Sequence, residues 1–173
     1  FDQYVRRCLP KASSQVVGLR YFNVYGPHEK HKGAMSSVVF HWMKQLSERG
    51  HIALFKGAQG YADGEQSRDF VFVDDVVAVN QWFLSHPQAS GIFNVGTGQA
   101  STFNALAKAL LSAVGFGEIK YIDFPEHLKG RYQSYTQADL SALRSVGCDH
   151  AFQTIQAGVR AYVNEVMPVA LSV

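Results

Sequence analysis

The chain has 173 residues, 47% of them hydrophobic and 17% charged, with a formal net charge of +2. That composition is globular, sufficient for one ordinary domain with a sizeable core, and it excludes a disordered chain. The charge is too small, and Lys and Arg too dispersed, for a nucleic-acid-binding stripe, and no apolar run reaches the roughly 20 residues a membrane-spanning helix needs.

Phe1, Tyr4, Val5, Cys8 and Leu9 recur at helical spacing and predict an opening helix that ends at Pro10. Neither a Met nor a cap residue precedes it, so the chain reads as a fragment of something longer. Residues 11–14 form a loop. The apolar run 16–22 predicts a buried strand that stops at Asn23 and feeds a polar, tightly turned loop through Gly26 and Pro27. In open α/β sheets ligands sit beyond the carboxyl ends of the strands. Asn23, Tyr25 and the cluster from His28 to Lys32 therefore fall where a substrate is expected.

Ser36 or Ser37 caps a long amphipathic helix that closes at Gly50. Residues 51–55 read as a short strand, followed by a Gly-rich loop over 57–64. Residues 68–73 alternate β-branched and aromatic side chains and predict a strand, so the two strands around the loop suggest a hairpin-like excursion. Asp74 and Asp75 are expected to cap the next helix. A buried strand over 91–95 ends at Gly96-Thr97-Gly98. Ser101 or Thr102 then caps a helix closed by Gly115 and Gly117. Residues 119–124 read as a strand, and two helices follow at about 139–146 and 154–166. Strands alternating with helices indicate an α/β fold.

The chemistry-bearing residues are sparse. Gly96-Thr97-Gly98 lacks the third glycine of a dinucleotide fingerprint and reads as a tight turn, so no cofactor is assigned to it. The seven histidines are scattered. His28 and His31 have only Glu29 nearby, which gives no metal site. Cys8 and Cys148 offer neither metal spacing nor a disulfide framework, which suits a reduced, cytoplasmic setting. Lys32 lies just before a helix start; a lysine partly desolvated at a cleft can act as a general acid/base, although a solvated loop lysine is the commoner case. Arg68 and Arg131 are candidate diphosphate clamps, or else surface arginines paired with carboxylates. Phe55 and Tyr132 are suited to stacking on a base or to filling the core.

Three ordered segments, Leu19-Arg20-Tyr21-Phe22-Asn23-Val24-Tyr25-Gly26-Pro27, Arg68-Asp69-Phe70-Val71-Phe72-Val73-Asp74-Asp75-Val76 and Phe93-Asn94-Val95-Gly96-Thr97-Gly98, resemble the extended short-chain dehydrogenase/reductase family. These are the nucleotide-sugar epimerases and dehydratases. Further segments, among them His31-Lys32-Gly33-Ala34-Met35 and Lys129-Gly130-Arg131-Tyr132, look like the branch that inverts C6 of an ADP-heptose for lipopolysaccharide synthesis. The resemblance implies the C-terminal part of a Rossmann-type doubly wound parallel sheet plus a smaller mixed α/β substrate-binding domain. About 1–25 and 69–98 would belong to the nucleotide-binding sheet, and about 26–68 and 99–166 to the substrate domain.

By that likeness the reaction removes a hydride, rotates the transient ketone and returns the hydride to the opposite face. The cofactor would be NADP, with NAD as the alternative, held mainly by an N-terminal half. Lys32 would be one acid/base and the Tyr of a Tyr-x-x-x-Lys pair the other. Val24 and Lys32 would contact the cofactor. Asn23, Ala34, His41, Phe55, Lys56, Gly57, Ala58, Arg68 and Tyr132 would bind a small nucleotide-sugar substrate, in a protein that forms a homo-oligomer at full length. Two departures stand out: Ala34 replaces the family's usual Ser, and the loop 59–67 looks several residues longer than usual. The Gly-rich first turn and the Tyr-x-x-x-Lys pair are not in the sequence, so the fragment alone is expected to be inactive. Another nucleotide-sugar enzyme, such as a UDP-sugar 4-epimerase, or a non-catalytic scaffold are the alternatives.

Overall fold

The computed structural model describes residues 1–126, 130 and 132–167; the candidate clamp Arg131 lies outside the described residues. Helix α1 (Asp2–Cys8) runs into a 3-10 turn at Leu9–Lys11, as the Pro10 break requires, and buries none of its residues. Strand β1 (Val17–Tyr21) follows. The stop expected at Asn23 is not a stop: after a break at Phe22 the chain resumes as strand β2 (Asn23–Tyr25). The cause is a change of partner. The Phe22 amide still donates to Val95, whereas the Asn23 amide donates to the carbonyl of Asp69. With its backbone satisfied by a second strand, a polar residue does not end the extended run, and Tyr25 goes into the core.

Helix α2 (Val38–Arg49) begins where Ser37 Oγ accepts from the Phe40 amide and ends at Gly50, whose φ of 69° is the left-handed closure that glycine permits. Strand β3 (His51–Phe55) comes next, then β4 (Ser67–Arg68) and β5 (Phe70–Phe72). Helix α3 (Val73–Ser85) starts one residue before the expected acidic cap. Phe72 stands at the N-cap, and Asp74 and Asp75 lie inside the first turn. There a negative charge still favours the helix terminus, but Asp75 is claimed by tertiary partners: the Gln153 amide at 3.0 Å and His150 Nε2 at 2.8 Å. After strands β6 (Gly91–Val95) and β7 (Ser101–Thr102), Thr102 caps α4 (Phe103–Val114) by accepting from the Ala105 amide. Strand β8 (Glu118–Ile122), α5 (Ser141–Ser145) and α6 (Ile155–Val166) complete the order.

Three strand pairs are parallel: β1 with β6, β2 with β5, and β3 with β8; β4 pairs antiparallel with β7. The hairpin expected across the 57–64 loop is therefore absent among the described residues. A parallel ladder between β3 and β8 spans five residues on each strand, and the two-residue β4 offers too few hydrogen bonds to compete with it.

Two apolar clusters hold the elements together. One gathers Trp42, Leu46, Ile52, Leu110, Val159 and Tyr162 from α2, β3, α4 and α6. The other gathers Val71, Val79, Phe83, Phe93, Val95 and Leu143 around β5, β6, α3 and α5. Gly158 lets α6 lie close on the sheet: a Cβ there would stand 2.3 Å from the Tyr25 hydroxyl oxygen and 3.0 Å from Phe72 Cβ. Among the described residues no helix is long and apolar enough to cross a membrane.

Candidate active site

The segment expected as a loop after β2 winds into 3-10 turns over Glu29–Met35, interrupted at Gly33, where φ is 55° and ψ −124°. This winding fixes Glu29, which is only 3% exposed. Its Oε2 accepts from the Ser37 amide at 2.7 Å, and its carbonyl accepts from Ser36 Oγ at 2.9 Å. The carboxylate thus sits at the N-terminus of α2, where the helix dipole favours negative charge. Lys32 Nζ lies 3.4 Å from Glu29 Oε1 and leaves much of its side chain in solvent. Burial, and secondly the charge of Glu29, push the Tyr162 phenol up to about 12.

Lys32 and Glu29 line a cavity of about 490 Å³ that runs along β2, where Asn23 and Val24 also border it. Arg68 and Tyr132 line the same cavity. The predicted lysine and arginine therefore share one concavity at the predicted strand. Arg68 is 7% exposed. Its guanidinium carbon lies 5.0 Å from the Tyr132 ring centre and 5.9 Å from that of Phe103. Nη1 donates to the Ser67 carbonyl at 2.9 Å, and among the described residues no carboxylate forms an ion pair with it. Burial pushes the guanidinium down, opposed by Tyr132; burial pushes the Tyr132 phenol up, opposed by Arg68. A buried cation with five N–H donors and no protein anion is, chemically, an anion receptor.

The neighbour of Arg68 holds it in place. Asp69 is fully buried, and its Oδ1 accepts from the Thr97 amide and hydroxyl, both at 2.7 Å. Its Oδ2 accepts from the amides of Gly98 and Ala138, at 2.9 and 3.0 Å. The Gly-Thr-Gly turn therefore gives two amides to an internal carboxylate.

A second cavity of about 350 Å³ adjoins the first, sharing Val38, Phe103 and Tyr132 with it. Phe55 and His41 line it, with Trp42 and Gln66. Ala34 does not join either group; with His41 it borders a separate cavity of about 780 Å³ beside Met43 and Phe116, on the far side of the Gly33 interruption. Lys56, Gly57 and Ala58 border none of these cavities. Lys56 instead pairs with Asp123 at 2.8 Å on the surface, a hydrogen bond that raises the lysine and lowers the carboxyl. The Gly57 amide donates to Asp63 Oδ1 at 2.7 Å, which curls the loop back on itself.

Sequence reasoning gave no role to Asp69, Gln66 and Phe103, and none to Glu29 beyond its place in the cluster from His28 to Lys32. Glu29 carried a signal, being three residues before Lys32. The others become visible only when strands distant in sequence are paired.

Parallel strand pairs alternating with helices, with a cavity along β2, define an α/β protein of the Rossmann type. More narrowly, the chain belongs to the NAD dependent epimerase/dehydratase family, whose model matches residues 1–96. It is 64% identical over 166 residues to an ADP-L-glycero-D-manno-heptose-6-epimerase of Alkalilimnicola ehrlichii, covering 96% of this chain and 52% of that protein. The crystal structure of the Helicobacter pylori ADP-L-glycero-D-manno-heptose-6-epimerase is similar at a TM-score of 0.78 and 29% identity, over 97% of this chain and 49% of the other. That of a Thermotoga maritima UDP-glucose 4-epimerase with UDP-glucose gives a TM-score of 0.75 and 26% identity, over 95% and 50%. The chain spans about half the length of these relatives.

Proposed function

We propose that this chain supplies the substrate-binding half of a nicotinamide-dependent epimerase that inverts C6 of ADP-D-glycero-D-manno-heptose to the L-glycero form. The observation that carries the reading is Arg68, a buried guanidinium lying against the rings of Tyr132 and Phe103 with no carboxylate on it among the described residues, in the same cavity as Lys32. Its fork suits a diphosphate. The sugar end of such a ligand then lies toward Asn23 and Lys32, and the base end toward the aromatic cavity behind Tyr132.

In that arrangement Lys32 moves a proton at the C6 oxygen, and Glu29 orients the ammonium from a position fixed by the Ser37 amide. A second acid/base is needed, because the two half-reactions present opposite faces of the sugar. A nicotinamide dinucleotide, NADP or alternatively NAD, supplies the hydride acceptor and donor when bound. The residues here fit only one end of it: Val24 and Lys32 border the cavity at the strand tip, while the Thr97 and Gly98 amides of the Gly-Thr-Gly turn are already taken by Asp69. Residues 1–25 and 69–98 would form the nucleotide-binding part and 26–68 and 99–166 the substrate part.

The test uses the full-length gene product. Lys32→Met is expected to lower epimerisation of ADP-heptose by about 100-fold, within the usual range for a general acid/base, while NADP still binds, as read by fluorescence. Near-parental turnover in that variant removes Lys32 from the chemistry. Turnover of UDP-galactose but not of ADP-heptose by the parent removes the substrate assignment.

A further inference from the structure

The cavity of about 350 Å³ behind Tyr132 is apolar on most of its wall, with Trp42, Phe55, Phe103 and Tyr132 contributing rings. Gln66 also lines it. The residue is 2% exposed, and its Nε2 is a buried donor with no hydrogen-bond partner among the described residues. Its backbone, by contrast, is engaged, since the Gln66 carbonyl accepts from the Phe103 amide at 3.1 Å. An unpaired buried amide is costly, and almost all such groups in native proteins find partners. The loop that carries it is also pinned. Asn104 Nδ2 donates to the Asp63 carbonyl at 2.8 Å and to Glu65 Oε1 at 2.6 Å. A pinned backbone thus sets Gln66 at an aromatic slot, two residues from Arg68, with an unpartnered side-chain donor suited to an acceptor that arrives from outside.

We propose that Gln66 is a specificity-determining residue that reads the edge of an adenine base seated in this cavity. Nε2 donates to a ring nitrogen and the side-chain carbonyl accepts from the exocyclic amino group, the pairing by which Gln and Asn recognise adenine elsewhere. The inference rests on the function proposed above, because the base is placed by a diphosphate on Arg68. The aromatic rings supply stacking for any base. Gln66 supplies the polar contact, and a site built around such a contact discriminates because leaving its donor unpaired is unfavourable.

The experiment titrates ADP and inorganic diphosphate into the full-length protein and its Gln66→Met variant, and records thermal unfolding of both. Met matches the length of Gln and suits an apolar wall, so the variant removes only the amide. ADP affinity is expected to fall about tenfold, within the range of one bidentate base contact. Diphosphate affinity should stay the same, and the melting temperature should hold or rise because a buried unpaired donor has gone. Unchanged ADP affinity overturns the proposal, as does an equal loss for ADP and diphosphate, which would place the effect at Arg68. A parent protein that fails to bind ADP overturns the underlying functional reading, and this inference with it.

Discussion

Asp69 offers the most direct test of how the site is held. Each of its oxygens accepts from two donors: the Thr97 amide and hydroxyl on one side, the Gly98 and Ala138 amides on the other. Asp69→Asn keeps the shape but replaces one of these oxygens with an NH₂ that faces two donors. Hydrogen bonds to a charged group contribute about 1.5–3 kcal/mol each, so losing two in a buried position costs about 3–6 kcal/mol. Against a typical folding free energy of about 5–15 kcal/mol that is a large fraction. At about 2–4 °C per kcal/mol for a chain of this size, the melting temperature should drop by about 6–24 °C. Urea unfolding at pH 7, with the slope checked for constancy, gives the free energy directly. A loss below about 1 kcal/mol would refute the claim that one carboxylate clamps three segments together. As a control, Asp139→Asn, at an exposed carboxylate bonded to Ser141, should shift the midpoint far less.

Gly158→Ala reverses the usual rule. In a helix interior the change normally stabilises by about 1 kcal/mol, but here the new methyl meets Tyr25 and Phe72, and overpacking of about 1–3 kcal/mol should win, read as a lower melting temperature. Alkaline unfolding follows from the tyrosines. Burial raises Tyr25 and Tyr162, the latter to about 12, so the folded state keeps protons that the unfolded chain releases near pH 10. Stability should be fully present below pH 10 and fall between pH 10 and 12, and Tyr162→Phe should flatten part of that slope in denaturant melts. Arg68→Lys keeps the charge but loses the fork and the stacking between Phe103 and Tyr132. It should raise the KM for an ADP-sugar about tenfold in steady-state assays, and an unchanged KM would remove the diphosphate from Arg68.

The helices were legible because their signals are local. Ser37 and Thr102 cap their helices as expected, and Gly50 and Gly115 take left-handed closures. Strand pairing was not, because partner choice depends on residues far apart. Asn23 looked like an end because the apolar run stops there, yet its amide finds the Asp69 carbonyl 46 positions later. The hairpin expected around the Gly-rich loop failed for the same reason: the partner of β3 lies beyond α4. At the site, residue types left Lys32 and Arg68 as candidates beside commoner surface readings and the resemblance singled them out; the fold brings both to one cavity. Ala34 went elsewhere because Gly33 turns the backbone sharply between the two residues, a reversal that no spacing rule anticipates. Glu29 and Asp69 carry ordinary acidic signatures in the sequence; only burial and their crowd of donors set them apart.

The pinned loop ahead of Arg68 has an evolutionary corollary. Downstream, the guanidinium is anchored by the pairing of Arg68 with Ser101 and by the adjoining carboxylate; upstream, Asn104 staples the turn at Asp63 and Glu65. Between Lys56 and Asp63, residues 57–62 form a loop closed mainly on itself, by the Tyr61 amide on the Ala58 carbonyl and the Gly57 amide on Asp63 Oδ1. Doubling the length of a loop whose ends are fixed adds only about 0.6 kcal/mol of closure entropy. Insertions and deletions there leave the anion receptor in register, which makes this short span a natural place for descendants of one ancestor to vary in length while keeping the same grip.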